Sequence, residues 1–336
     1  MSPGDKHRIM ASDFSVTSSL ASNSPRPAFW ALIFRIAGAI LVLSVVFYIV
    51  PVRKIGAALQ LVPAGLWVLV LAGYLASHCV ASLKWRLMVN LAGSGLSIPQ
   101  AVRCYFAGLF SVLFLPSIVG GDVVRAALAL RMGRSQEAVL FGSLLDRILD
   151  FLALAFLTIM GATLVPGSLA PSSRRVFIYA GCAAAILVAS VVLAIILLPA
   201  RRFSYGIRRR LVRLREAQQA MAARSHFVFA AYLLAIFVQG AFIVLTAALA
   251  HSAGLHLPLQ VWVFAWPMAK ISALVPLTQG GIGVREAALA GLLLPFGAPA
   301  AITVAVGLAW EGITIAGALI GGLASYIIGR LKLDNL

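Results

Sequence analysis

Nine ionisable residues lie inside apolar sequence: five acids (Asp122, Asp146, Asp150, Glu286, Glu311) and four bases (Arg125, Arg147, Lys270, Arg285). Each would cost roughly 2.5–3.5 kcal/mol at the centre of a lone membrane helix, on insertion scales. Their near balance implies that they pair, face inward or line a wet cavity. The chemistry they offer is electrostatic. Arginine forks suit phosphate, and carboxylates suit a cationic group or a proton. Asp146 and Asp150 are four apart on one predicted helix and share a face, and Arg147 can reach Asp150. No nucleophile or metal-ligand set accompanies them, so the sequence predicts neither catalysis nor a cofactor.

Four of the nine belong to a pattern that occurs twice, 160 residues apart. Pro116, Gly120, Gly121, Asp122 and Arg125 match Pro276, Gly280, Gly281 and Arg285, with Gly283 and Glu286 flanking the second arginine. Each proline precedes the double glycine by four residues and the arginine by nine. The expectation is a helix break at each Gly-Gly, leaving backbone N–H groups free at a half-helix N-terminus, where anions bind. Asp150 is the thirteenth residue of its span, and Glu311 is the thirteenth of the last. Two readings fit these charges: structural ion pairs that lock the halves together, or a polar track for a charged group. The glycines favour the second.

The elements that must carry these residues are membrane helices. The chain has 336 residues, 62% hydrophobic and 11% charged, with mean hydropathy +1.00. A soluble protein of this size could not cover its surface with so few charges. Apolar runs longer than 18 residues predict an all-α polytopic bundle. Six full spans are expected, near 28–50, 61–83, 138–165, 176–199, 227–250 and 299–328. The stretches 101–131 and 259–296 are each cut by a motif into pieces too short to cross. They read as re-entrant hairpins, with ordinary spans joined by a tight loop as the alternative. Residues 1–27 are polar and read as a disordered, uncleaved N-terminus.

Orientation follows from arginine. The loop 200–225 holds eight arginines against one Glu216, which predicts a cytoplasmic location. Its Ile207, Leu211 and Leu214 recur at helical spacing, as in an interfacial helix. Both termini then fall inside, including the tail 331–336, and so does 84–103 with Lys84, Arg86 and Arg103. Arg53-Lys54 and Arg174-Arg175 run against the rule. Repeat one (61–165) and repeat two (227–328) acquire opposite topology within a transmembrane domain spanning 28–330. Inverted repeats with broken helices are a transporter architecture. The net charge of +17 is accounted for by topology, so no nucleic-acid partner is expected.

Other features read as packing. Gly280-Gly281-Ile282-Gly283 lacks the strand–turn–helix setting of a dinucleotide fingerprint. Cys79, Cys104 and Cys182 show no paired spacing. His78, His226, His251 and His256, with Trp67, Trp85 and Trp262, read as interfacial. Gly317, Gly321 and Gly322 read as a close helix seam.

Together these residues carry a resemblance. Ser82-Leu83-Lys84-Trp85-Arg86, Leu115-Pro116, Gly120-Gly121-Asp122-Val123-Val124-Arg125 and Asp146-Arg147 resemble the transmembrane region of lysylphosphatidylglycerol synthases. So does Lys270 followed by Val275-Pro276 and Gly280-Gly281-Ile282-Gly283-Val284-Arg285-Glu286. The likeness runs over about residues 30–330. It implies lipid translocation, since in bifunctional members this region is a flippase module beside a soluble aminoacyl-transferase. This chain ends at Leu336, just after the last span, so no synthase half is expected. Relatives are associated with hopanoid or prenyl-linked glycan lipids. The resulting expectation is a multi-pass lipid flippase of a bacterial inner membrane, with membrane lipids as partners and a separate lipid-modifying enzyme as a candidate one. A lipid-headgroup enzyme and a non-catalytic scaffold are the alternatives.

Overall fold

In a computed structural model, the described residues are 52–115, 118–133, 135–165, 221–273 and 282–331, with isolated helical positions between. They form nine α-helices and no strand. We label these α1 (Val52–Gln60), α2 (Ala64–Leu91), α3 (Ile98–Ser111), α4 (Ile118–Leu130), α5 (Gln136–Leu164), α6 (Ser225–Ser252), α7 (Leu259–Ser272), α8 (Val284–Leu293) and α9 (Ala300–Leu331).

Among the described residues, four helices are long and apolar enough to cross a membrane: α2, α5, α6 and α9, of 28 to 32 residues. At about 1.5 Å per residue each exceeds the roughly 30 Å hydrocarbon layer. They coincide with four of the six expected spans. The other two, 28–50 and 176–199, lie outside the described residues, as do 1–27, most of the basic loop 200–225, and all but the first residue of the tail 331–336.

Four of the five shorter helices form two pairs. α3 starts at Ser97, whose backbone N–H donates to Gln100 Oε1 at 2.9 Å, with Pro99 in the first turn. α3 and α4 run antiparallel: Gly108 faces Gly121 and Arg125, and Cys104 clusters with Ala129. α8 starts at Gly283, whose φ of +85° suits glycine, and whose N–H donates to Glu286 Oε2 at 2.6 Å. α7 packs against α8.

One expectation is corrected here. In the first copy the break does not fall at the Gly-Gly. α3 ends at Ser111 and α4 begins at Ile118, so Gly120 and Gly121 belong to the first turns of α4. These glycines are there for proximity. A Cβ on Gly121 would lie 2.6 Å from Val112 Cγ2 and 2.7 Å from Gly108 O. In the second copy, Pro276, Gly280 and Gly281 lie outside the described residues.

Glycine also sets the helix seams, as expected where apolar solvent gives helices little reason to associate. Gly142 abuts the Val89 backbone, and Gly161 abuts the Phe264 backbone. Gly317, Gly321 and Gly322 of α9 receive Tyr74, Phe106 and Phe110, as the sequence predicts. Trp85 and Trp262 are not interfacial. Both are fully buried, and Trp85 Nε1 donates to Ser143 Oγ at 3.0 Å.

Candidate functional site

The span expected to end at residue 83 continues instead to Leu91, so that Lys84 opens the last two turns of α2. That extension inserts Lys84, 1% exposed, between the two aspartates of α5. Its ammonium lies 2.8 Å from Asp146 Oδ1 and 2.6 Å from Asp150 Oδ1. Asp146 also meets Arg125 Nη2 at 3.5 Å, and Arg125 meets Asp122 Oδ1 at 3.2 Å. Asp122 binds Arg147, and Arg147 Nη1 returns to Asp150 Oδ2 at 3.5 Å. The result is a closed ring of six alternating charges: Lys84, Asp146, Arg125, Asp122, Arg147, Asp150. Every member has two partners of opposite sign. The guanidinium of Arg125 also sits 4.8 Å from the Trp85 ring and 5.2 Å from the Tyr105 ring.

The second motif builds an open cluster. Arg285 Nη2 lies 2.9 Å from Glu286 Oε1 and 2.7 Å from Glu311 Oε2 of α9. One cation therefore serves two carboxylates. Glu286 is fully buried, wedged against Gly307, where a Cβ would come 2.7 Å from Glu286 Cγ. Lys270 donates to Gln239 Oε1 at 2.8 Å and lies 4.9 Å from the Phe242 ring. Lys84 completes the account begun in the sequence. Five buried or half-buried bases now face five acids.

A cavity of about 420 Å³ lies between the ring and the open cluster. Gly121, Asp122, Arg125, Arg147, Asp150, Lys270, Arg285 and Glu311 line it. Asp146 and Glu286 stand behind the wall and hold the arginines, while Gly120 packs against Leu115. Much of the remaining lining is aromatic. Trp310 stacks edge-on against Trp266 at 4.9 Å and against Tyr74 at 5.8 Å. His78, expected at an interface, lines the cavity with its Nδ1 3.2 Å from Tyr105 Oη.

Sequence reasoning missed Lys84, His78, Tyr105, Gln239 and Trp266 as site residues. Gln239 carried a signal, an amide near the middle of the long apolar helix α6. Lys84 carried one too, since it sits in the run Ser82-Leu83-Lys84-Trp85-Arg86 that repays attention on its own. Among the described residues, three buried side-chain N–H donors find no acceptor: Arg125 Nε, Arg147 Nε and Trp266 Nε1, all on residues that line the cavity.

Comparison with known proteins agrees with this architecture. Residues 32–322 match the family described as lysylphosphatidylglycerol synthase TM region. A curated relative, a UPF0104 membrane protein of Methanothermobacter thermautotrophicus, is 29% identical over 85 residues. That match spans 25% of this chain and 24% of the relative, so it covers about a quarter of each. No solved structure matches. With membrane-length helices and a family match over most of its length, the chain is a membrane protein tied to lipid handling, and it belongs to the lysylphosphatidylglycerol synthase transmembrane-region family.

Proposed function

We propose that the protein is a flippase that moves a charged-headgroup lipid across a bacterial inner membrane. The observation that carries this reading is the cavity, in which charged groups and aromatic surface sit together amid membrane-length helices. Charges of this kind mark substrate paths in membrane proteins, because hydrocarbon penalises them otherwise. The headgroup enters the cavity while its acyl or prenyl tail stays in the lipid. Arg125, Lys270 and Arg285 face its phosphate. Asp122, Asp150 and Glu311 face a cationic part of it or carry a coupling proton.

The two motifs support an inverted-repeat mechanism. Arg125 binds an acid of its own motif, Asp122, and one on the next long helix, Asp146. Arg285 does the same with Glu286 and Glu311. Two equivalent half-sites facing one cavity suit rocking of one repeat against the other, with both short-helix pairs re-entrant and both termini cytoplasmic. No ATP-binding motif occurs in the sequence, so the driving force is an ion or lipid gradient.

The test is reconstitution into liposomes with headgroup-labelled lipids, followed by lipid mass spectrometry. The reading expects label to cross faster than in protein-free vesicles, with the lipid chemically unchanged. Flipping at the protein-free rate would remove it, and a modified lipid would favour a headgroup enzyme.

A further inference from the structure

Lys270 differs from every other cation that lines the cavity. Arg125, Arg147 and Arg285 each touch two carboxylates. Among the described residues, Lys270 touches none. Its contacts are the neutral amide oxygen of Gln239 and the face of Phe242. With neutral groups as its direct contacts, this cation lacks the paired carboxylate by which the arginines offset their burial.

A second observation points the same way. Trp266 lies one turn before Lys270 on α7, so the two share a helix face. It is 2% exposed, lines the cavity, and its indole N–H has no acceptor. A buried donor left unpaired is costly. Lys270 and Trp266 thus present, from one face of α7, a charged donor without a carboxylate and a neutral donor without an acceptor. The arginines also offer N–H groups, but carboxylates already balance their charge. They add hydrogen bonds and little net attraction.

We infer that Lys270, with Trp266 beside it, is the seat of one oxyanion group of phosphate-ester chemistry, and that Lys270 rather than the arginines makes the cavity prefer an anionic ligand to a neutral one. This rests on reading the cavity as the headgroup site. The phosphate could belong to a lipid or be free, and the chemistry at Lys270 is the same for both.

The experiment is equilibrium binding to the purified full chain in neutral detergent. Three probes are used: phosphatidylglycerol, diacylglycerol with the same acyl chains, and water-soluble glycerol 3-phosphate as competitor. Wild type should prefer phosphatidylglycerol to diacylglycerol by about tenfold or more, which corresponds to about 1.4 kcal/mol. Lys270→Gln should bring that ratio to about one, with an unchanged melting profile. Lys270→Arg should keep most of it, and Trp266→Phe should lower it several-fold. Competition by glycerol 3-phosphate that disappears in Lys270→Gln extends the seat to free phosphate. A preference lost in Lys270→Gln without such competition assigns the seat to lipid alone. An undiminished preference in folded Lys270→Gln overturns the inference. Flipping is measured separately: preference without flipping keeps the seat and removes translocation, whereas flipping together with an undiminished preference in Lys270→Gln removes the seat and keeps translocation.

Discussion

Lys84 and Asp150 meet at 2.6 Å across the α2–α5 interface and close a ring of six alternating charges. A closed ring in a low-dielectric setting is stable only while every member is present. Removing one partner strands its neighbours, which typically costs 3–5 kcal/mol for a buried pair. Lys84→Ala should therefore destabilise the fold by about that much, read as a lower melting temperature in detergent. Arg147, whose side chain is 34% exposed, should cost markedly less when changed to Ala. Equal losses for the two would show that burial of the member removed does not set the cost of opening the ring.

Arg285 offers a cleaner separation of folding from function. Arg285→Ala leaves Glu286 and Glu311 facing one another without a cation, so folded yield should fall sharply. Arg285→Lys keeps the charge but loses the paired Nε and Nη2 donors that hold Glu286 while Nη2 also holds Glu311. That variant should fold, and its lipid-flipping rate should fall. Wild-type flipping in Arg285→Lys would mean that the second motif contributes charge and nothing more.

The glycine seams yield a graded series. Gly161→Ala places a Cβ 2.4 Å from the Phe264 backbone nitrogen, and Gly142→Ala places one 2.5 Å from Val89 Cα. Backbone cannot move aside as a side-chain tip can, so each should cost about 1–3 kcal/mol. Gly240, also helical, has nothing within 4 Å, and Gly240→Ala should be neutral or stabilising by up to about 1 kcal/mol. Thermal melts of the three variants check the ordering.

The same particulars show what the sequence could reveal. Long apolar runs marked α2, α5, α6 and α9, because hydrophobic length is set by membrane thickness. The paired motif arginines were visible as charges in apolar sequence. Lys84 was visible only as part of the run Ser82–Arg86, because a Lys-Trp-Arg cluster at the end of an apolar run looks like the start of a loop. Only the aspartates of α5, remote in sequence, make a buried helical Lys84 tolerable. Gly120 and Gly121 were misplaced for a related reason. Glycine permits a break and also permits close approach, and only the position of α3 decides between them. The unpaired state of Lys270 likewise depends on which residues three-dimensional packing brings near it, and no spacing rule reports that.

The central claim is that lipid headgroups pass through this cavity, and obstruction tests it most directly. Leu113 lines the cavity and is half-buried. Leu113→Cys would be made in a background with Cys79, Cys104 and Cys182 changed to Ala, and lipid flipping measured in one liposome preparation before and after reaction with a bulky thiol reagent. Because the same folded protein is compared with itself, misfolding cannot mimic the effect. The account predicts that flipping drops to the protein-free rate after modification. An unchanged rate at full labelling would contradict it.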